Sequence, residues 1–267
     1  MEVESLGSVV PLRAKESTKN NGLGRSEQPG PYKSIRPAAD HDFSGEAEYR
    51  GGVVSIQTRI LVLSGTPASG KDTITALMEQ YGGGRYCFFK KHKGVPDVHG
   101  AMVDPRNAAY RLTDQETFLR MAQEQRFLQH HERYGCGYGV SIDELESHWA
   151  CGQIPIIHNG RQENLPGLFR GEHTLFSVLL LSGRLATRER ILSRNGGDLV
   201  DADNRIRAYH EERHEIAEML EKGLPLYCHM AVSTDKMPPD TVAHMIVSAT
   251  DRFWSGDQVI TATEAAA

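Results

Sequence analysis

The sequence predicts an α/β fold in which helices cover both faces of a parallel sheet, in three layers. Short apolar runs that fit buried strands alternate with amphipathic segments of helical spacing through residues 53–254. This alternation is typical of a parallel sheet, and right-handed crossovers leave few other topologies. A glycine-rich turn joins the first apolar run to the first amphipathic segment, as expected where a strand leads directly into a helix.

The predicted elements start with a strand at Arg59–Ser64. After the glycine-rich turn, apolar residues recur at helical spacing until glycines at 82–84 end the first helix. Further apolar runs predict strands at residues 85–89, 154–158, 174–181 and 224–232. Helical spacing predicts helices at residues 113–125, 141–151, 185–193 and 203–222, and a last one that opens at 238–239.

Two of these helices begin with a capping box, in which a hydroxyl residue is followed three positions later by glutamate. Thr113 with Glu116 predicts the start of one, and Ser141 with Glu144 predicts the start of the next. In both cases the hydroxyl side chain is the predicted N-cap.

The chain is predicted to divide into one folded domain and two tails. Residues 1–52 lack apolar periodicity and are rich in Ser, Gly, Pro, Lys and Glu, which is typical of a disordered segment. Residues 255–267 predict a second loose tail. The domain between them, residues 53–254, holds all the predicted strands and helices.

The composition argues against several classes of function. A formal net charge of −5 over 267 residues disfavours a nucleic-acid partner, because such proteins usually carry a basic excess. The apolar runs are too short to span a bilayer, so no membrane partner is predicted. Residues 1–7 are acidic and lack the apolar core of a secretory signal. The four cysteines form no C-x-x-C pair, which is typical of reduced thiols, and a cytoplasmic location is predicted.

The glycine-rich turn matches a phosphate-binding loop. "SGTPASGKDTI" at residues 64–74 fits G-x-x-x-x-G-K, between an apolar strand and an amphipathic helix. Glycines allow a turn in which successive backbone N–H groups point at one anion, and the helix N-terminus adds its positive end. The lysine neutralises the β- and γ-phosphates. The predicted ATP site consists of Gly65, Ser69, Gly70, Lys71, Asp72 and Thr73.

The residue after the loop lysine departs from the usual pattern. Asp72 stands where a serine or threonine hydroxyl normally serves Mg²⁺. A carboxylate is also a hard oxygen ligand, directly or through a water, and Thr73 follows immediately. The sequence therefore predicts Mg²⁺ at Asp72 or Thr73, with the alternative that Asp72 only favours the helix start by its charge.

Other motifs indicate which class of phosphate-loop protein this is. The chain lacks the N-K-x-D and D-x-x-G of switch GTPases, and its run at 154–158 ends in histidine where motor and transporter ATPases carry aspartate. A small-molecule kinase remains. Phosphoryl transfer needs positioning and cations around the moving group, and Arg190, Arg194 and Arg205 are predicted to supply them. The alternative for each arginine is an exposed basic helix face.

A zinc site is the competing hypothesis for the predicted helix at residues 203–222, which also carries Arg205. His210, Glu211 and His214 fit H-E-x-x-H, the zinc-binding helix of many metalloproteases. The helix is crowded with charged residues, and no third ligand is evident downstream. A zinc peptidase is therefore not predicted.

The segment "HERYGCGYGVSIDELESHWACGQIPIIHNGRQENLP" resembles the acceptor region of the guanylate kinase superfamily. In that family a Tyr-Gly pair is followed by a helix, a glycine, a strand and a glycine turn. The G-x-x-Y-G-V form, N-G-R at the strand end, the L-P that follows and Asp72 after the loop lysine are similar to one branch, the ribose 1,5-bisphosphate phosphokinases. The likeness covers roughly residues 58–250.

This resemblance implies a P-loop NTPase-type, guanylate-kinase-like fold with small acceptor-binding and lid regions. It implies ATP-dependent transfer to a phosphate group of ribose 1,5-bisphosphate, giving phosphoribosyl diphosphate. The alternatives are a nucleoside monophosphate acceptor and a non-catalytic binding module. Tyr138 would contact the acceptor phosphate, with Tyr110 as a second candidate, and Arg190, Arg194 and Arg205 would fall on the lid and transfer arginines.

The sequence departs from guanylate kinases where the acceptor is bound. Gln129 stands in place of the glutamate that reads guanine, nine residues before the tyrosine, so guanine specificity is not predicted. The family's arginine pair is missing, and three lysines stand nearby instead: Lys90, Lys91 and Lys93. Lys91 is the predicted acceptor contact among them. With Gln129, His158 and Asn159 at a strand end, it would bind a small phosphorylated molecule; no oligomeric state is predicted.

Overall fold

The computed structural model describes residues 48–49, 52–53, 57–104, 107–133, 135–170, 173–194, 198–224 and 226–256. The chain divides into two compact units, Arg13–Ile56 and the remainder. In the smaller unit, β1 (Glu48–Tyr49) pairs antiparallel with β2 (Gly52–Val53). The predicted boundary at residue 53 falls inside β2, so β1 and the first residue of β2 belong to the predicted N-terminal tail. The other residues of the two predicted tails, except residues 255–256, lie outside the described residues.

The larger unit contains nine described strands. In chain order they are β3 (Arg59–Ser64), β4 (Tyr86–Phe88), β5 (His92–Val95), β6 (Arg111–Asp114), β7 (Phe127–Arg133), β8 (Cys136–Ser141), β9 (Ile154–Asn159), β10 (Thr174–Leu181) and β11 (Met230–Ser233).

The described helices alternate with these strands. They are α1 (Lys71–Tyr81), α2 (Val98–Met102), α3 (Gln115–Gln123), α4 (Ile142–Ala150), α5 (Leu165–Leu168), α6 (Arg184–Arg194), α7 (Leu199–Glu221) and α8 (Pro239–Ser255), with a 3-10 turn at Gln162–Asn164 before α5.

The main sheet has five parallel strands in the order β11-β10-β3-β9-β4. All five predicted strands lie in it, and the predicted α/β fold with a parallel sheet is confirmed. The last strand is shorter than predicted, because pairing with β10 begins only at Met230. His229 N already donates to Ser177 O in β10, but the two amides before it bond elsewhere: Tyr227 N donates to Gln162 Oε1 and Cys228 N donates to Leu226 O.

Two apolar clusters on opposite faces of this sheet form its core. Alternate residues of β3 point to each face: Leu61 and Leu63 to one, Ile60 and Val62 to the other. Helices α1 and α8 pack on the first face, and α4 and α5 pack on the second. The three predicted layers therefore result from the period-two alternation of a fully buried strand.

A second sheet of four strands, in the order β6-β5-β8-β7, was not predicted. Here β5 pairs parallel with β6 and antiparallel with β8, which pairs antiparallel with β7. Its strands are rich in polar residues and glycine. The glycines are required by packing, because a Cβ at Gly137 would lie 2.3 Å from the Phe118 ring and a Cβ at Gly139 would lie 2.7 Å from the Phe127 ring.

The start of α3 differs from the predicted capping box. Asp114 is the N-cap, and its Oδ1 accepts a hydrogen bond from Thr117 N at 2.8 Å. The Thr113 hydroxyl bonds to His92 Nδ1 instead. Ser141 is the N-cap of α4, as predicted, but its side chain makes no capping hydrogen bond. No described helix is both long and apolar enough to cross a membrane.

We expect Asp114→Ala to lower the thermal unfolding midpoint by about 3 °C, since it leaves an N-terminal amide of α3 without its acceptor. Glu116→Ala, at the exposed position that the capping box would have used, is the control and is expected to change the midpoint by less than about 1 °C. Thermal unfolding followed by circular dichroism measures both. Equal shifts in the two variants would show that the cap is misassigned.

Candidate functional site

The predicted phosphate-binding loop connects β3 to α1 at the carboxyl edge of the main sheet. Gly65 and Gly70 have φ values of +144° and +96°, which L side chains rarely adopt. Gly65 N donates to Asn159 O, so the loop is tied to the end of the neighbouring strand β9. The sequence therefore has glycine at the two positions where this turn needs it.

Lys71 lies over the loop that precedes it. Its Nζ donates to Gly65 O at 2.5 Å and Thr66 O at 3.0 Å, and lies 3.4 Å from Ser69 Oγ. Burial lowers the pKa of Lys71, while the negative charges of Glu212 and Asp72 oppose that shift. The ammonium thus stays beside the loop amides, where a phosphate would also lie.

A cleft of about 320 Å³ opens beside this loop. The predicted site residues that line it are Gly65, Lys71, Asp72, Lys91, Tyr110, Tyr138, His158, Asn159 and Arg205. Those that do not line it are Ser69, Gly70, Thr73, Gln129, Arg190 and Arg194. The structure therefore brings the loop lysine and most of the predicted acceptor residues to one cavity.

Aromatic rings form one wall of the cleft, and a lysine that does not itself line the cleft lies against them. The rings of Tyr110 and Tyr138 meet edge to face at 5.5 Å, and His131 stacks on Tyr138 at 5.5 Å. Lys93 Nζ lies 5.4 Å and 5.7 Å from the two tyrosine rings and donates to Asn107 Oδ1. Of the three lysines in this segment, Lys93 thus supports the tyrosines.

Lys91 is a buried cation on the same cleft. Its side chain is only 8% exposed, and among the described residues it has no hydrogen-bond acceptor or acidic partner. Burial and the positive charge of Lys71 lower its pKa to about 8. A buried ammonium without a counter-charge is costly, so an anion in the cleft would be bound strongly.

His158 lies near the end of β9 and contacts two residues of α1. Its Nε2 is 2.7 Å from Thr75 Oγ1, and its Nδ1 is 3.5 Å from Asp72 Oδ1. Burial, Lys71 and Lys91 lower the pKa of His158 to about 3, so the ring is neutral at pH 7. His158 therefore adds no charge to the cleft.

Asp72 is the predicted metal ligand that faces the cleft. Its side chain is 80% exposed at the start of α1, whereas Thr73 does not line the cavity. No cluster of three or more His, Cys, Asp or Glu side chains suited to a metal exists in the described parts of the chain. Mg²⁺ needs no such cluster, because one or two carboxylates, water and substrate phosphates suffice. The residues present fit Mg²⁺ on that basis.

The three predicted transfer arginines have different surroundings. Arg190 donates to Ala68 O in the loop and to Thr234 O and Oγ1, so its observed contacts brace the loop. Arg194 is exposed at the last position of α6. Arg205 lines the cleft and donates to Asp201 Oδ2 at 2.6 Å. A catalytic role stays a prediction for all three.

Gln129 lies on β7 behind the cleft wall. Its Nε2 is 2.9 Å from His131 Nδ1, and its Cγ packs against Gly167. Its buried Oε1 has no partner in the described parts of the chain. The contact with His131 indicates a link to the wall; base recognition by Gln129 stays a prediction.

Several cleft residues were not singled out as site residues from the sequence. The most prominent are Arg133, Arg161 and Glu212, which add charge near the loop. Arg133 and Arg161 lie inside the segment that carries the resemblance, and Arg161 is the arginine of its N-G-R motif, but neither was predicted as a site residue. Glu212 lies within the H-E-x-x-H stretch, whose letters directed attention to its histidines instead. No sequence signal pairs residues this far apart.

Comparisons with known proteins find likenesses among solved structures. No family model and no curated protein matches the chain. Among solved structures, the guanylate kinase from Anaplasma phagocytophilum is similar, with a TM-score of 0.47 and 16% sequence identity. The likeness covers 72% of this chain and 84% of the guanylate kinase. At these values it assigns neither a family nor an activity to the chain.

Proposed function

We propose that this protein transfers the γ-phosphoryl group of ATP to a phosphate group of a small phosphorylated acceptor. One observation carries the proposal: the predicted phosphate-binding loop with Lys71 lines the same cleft as Lys91, a buried lysine that has no partner among the described residues. Lys71 would hold the donor triphosphate, and Lys91 the acceptor phosphate. Two anion sites in one small cavity are the arrangement that transfer between phosphates requires.

Phosphoryl transfer requires the protein mainly to position the two substrates and to supply cations. An acceptor phosphate oxygen attacks the γ-phosphorus in line, the bond to the β–γ bridging oxygen breaks, and ADP leaves. No general base is needed, because the attacking oxygen is already ionised. Mg²⁺, held by Asp72 or Thr73, would neutralise charge on the triphosphate. Lys71, Lys91 and Arg205 supply the protein's cations.

Ribose 1,5-bisphosphate is the acceptor we propose, with phosphoribosyl diphosphate as the product. The support is the resemblance of the acceptor segment together with the absence of a carboxylate at Gln129, which weakens guanine recognition. Lys91, Arg133, Arg161 and Arg205 line the cleft, and several cations suit an acceptor with more than one phosphate.

An acceptor panel tests the proposal. ATP consumption is measured with ribose 1,5-bisphosphate, GMP, AMP and no acceptor, and products are identified by mass spectrometry. We expect turnover with the bisphosphate and formation of phosphoribosyl diphosphate. A preference for GMP would show that the acceptor is a nucleoside monophosphate and not ribose 1,5-bisphosphate. ATP binding without turnover on any acceptor would indicate a binding module.

The pKa of Lys91 predicts a pH dependence for acceptor binding. Because the pKa is lowered to about 8, the cation is present below that pH and is lost above it. We expect kcat/KM for the acceptor to fall about tenfold per pH unit above pH 8, while kcat at saturating acceptor changes less. Lys91→Arg, which stays charged, should remove the fall. If kcat/KM falls in the same way in Lys91→Arg, the group that titrates is not Lys91. Lys90→Arg, at an exposed lysine next to it, is the matched control.

A further inference from the structure

His131 and Gln129 lie two residues apart on β7, so their side chains are on the same face of the second sheet. Gln129 Nε2 lies 2.9 Å from His131 Nδ1. His131 lines the cleft, whereas Gln129 does not line it and is only 8% exposed. The Nδ1 side of the imidazole is therefore held by a residue behind the cleft wall.

The contact with Gln129 determines which nitrogen of His131 carries the proton. An amide nitrogen can only donate, so Nδ1 is the acceptor of this hydrogen bond. Burial lowers the pKa of His131 to about 4, and the positive charges of Lys91 and Arg133 add to that shift, so the ring is neutral at pH 7. In a neutral imidazole whose Nδ1 accepts, the one N–H group is at Nε2.

This Nε2–H group is available to a molecule in the cleft. In the described parts of the chain no group bonds to His131 Nε2, and the atom is not fully buried. Nε2 is at the end of the side chain farthest from the backbone, and that side chain lines the cleft. The ring also stacks on Tyr138, with centroids 5.5 Å apart and an interplanar angle of 16°. His131 is thus a neutral donor whose ring plane and tautomer are both fixed by neighbours.

We propose that His131 donates a hydrogen bond from Nε2 to an oxygen atom of the acceptor and that Gln129 is its positioning residue. This inference rests on the proposed function and gives Gln129 an indirect part in acceptor selection. The cations that line the cleft attract any phosphate, whereas a neutral donor requires an oxygen lone pair at one place and angle. His131 would therefore select the acceptor by the position of its oxygen atoms and not by its charge.

Two substitutions at His131 separate the Nε2–H group from the rest of the ring. The amide nitrogen of glutamine can take the position of Nε2, whereas that of asparagine lies near the position of Nδ1. We expect His131→Asn to raise the KM for ribose 1,5-bisphosphate (GMP if the panel favours it) about tenfold, with the KM for ATP little changed. His131→Gln, which keeps a neutral donor, should stay within about threefold of the wild type. His130→Asn is the matched control, at the exposed neighbouring histidine that does not line the cleft.

Gln129→Met tests whether Gln129 acts through His131. Methionine has a similar length and removes the donor that faces Nδ1. We expect the same KM to rise about threefold, and we expect no further rise when the change is added to His131→Asn, because both act through one hydrogen bond. Multiplied effects in the double variant would mean that Gln129 contacts the acceptor itself, and its positioning role would be overturned.

NMR of the imidazole nitrogens tests the tautomer without any turnover. Long-range proton–nitrogen correlation spectra distinguish a protonated ring nitrogen from an unprotonated one, and the signals missing in His131→Gln assign the ring. We expect the wild type to carry its proton on Nε2 at pH 7. Gln129→Glu should place a proton on Nδ1, because a carboxylate can only accept. A wild-type ring protonated on Nδ1 alone would overturn the inference, even if His131→Asn did not fold.

The outcomes separate this inference from the proposed function. If the wild-type protein turns over no acceptor, the proposed function fails and the inference fails with it. If the wild type is active and His131→Asn keeps the wild-type KM for the acceptor, the role of His131 is overturned while the proposed function stands. Equal rises in His131→Asn and His131→Gln would overturn the role of the Nε2–H group in the same way. Thermal unfolding checks that each variant is folded.

Discussion

Lys71→Met is expected to lower kcat for phosphoryl transfer roughly 10³-fold. The ammonium lies over the loop, within hydrogen-bond distance of Gly65 O and Thr66 O, where it would meet the donor phosphates. Charge builds on the transferred group in the transition state, and a fixed cation in a buried site stabilises that charge more than it stabilises bound ATP. Steady-state ATP consumption with the best acceptor measures the loss.

Stability separates this effect from misfolding. Burial lowers the pKa of Lys71, which means that the folded protein disfavours the charged form. Methionine has similar length and no charge, so the thermal midpoint of Lys71→Met should be unchanged or higher. Lys90→Met, at a nearby exposed lysine, should keep wild-type activity. A wild-type kcat in Lys71→Met would show that the loop lysine takes no part in phosphoryl transfer.

The main sheet was predictable because its strands are buried on both faces. In β3, residues 60–63 are fully buried, so the sequence there is a continuous apolar run with no competing interpretation. The second sheet carries no such signal. In β7 the two buried residues are Phe127 and the polar Gln129, so burial there leaves no apolar alternation. In β8, glycines stand where the rings of Phe118 and Phe127 pack. Those contacts depend on distant residues, which no local pattern encodes.

The candidate site, like the fold, was predictable only where a local sequence pattern encodes it. Gly65 and Lys71 belong to one local turn whose spacing is fixed by the physics of binding a phosphate. Lys91 was chosen from three neighbouring lysines, and only the structure shows that it is buried and that no described residue pairs with it. Arg133 and Glu212 are 79 residues apart, and their pairing depends on how β7 and α7 meet. Sequence reasoning therefore singled out the loop and its lysine, whose role in binding ATP stays a prediction, and it missed the ion pair that lines the same cleft.

Gly65→Ala is expected to lower the free energy of unfolding by about 3 kcal/mol and to abolish ATP binding. The Cβ would lie 2.4 Å from Leu180 O and 2.8 Å from Ser69 Oγ, at a φ of +144°. Leu180 lies in β10, a central strand of the main sheet, so its carbonyl cannot move aside without breaking the ladder. The loop must shift instead, and its backbone N–H groups then no longer point toward one phosphate.

Gly83→Ala is the control that isolates backbone strain from this clash. Gly83 also has a positive φ, +59°, but nothing lies within 4 Å of a Cβ built there. It should cost only about 1 kcal/mol and leave ATP affinity unchanged. Urea unfolding and calorimetry with an ATP analogue measure the two quantities in each variant. Equal losses of stability, or intact ATP binding in Gly65→Ala, would mean that the loop does not approach β10 as closely as the structure shows, and the donor site would have to be placed elsewhere.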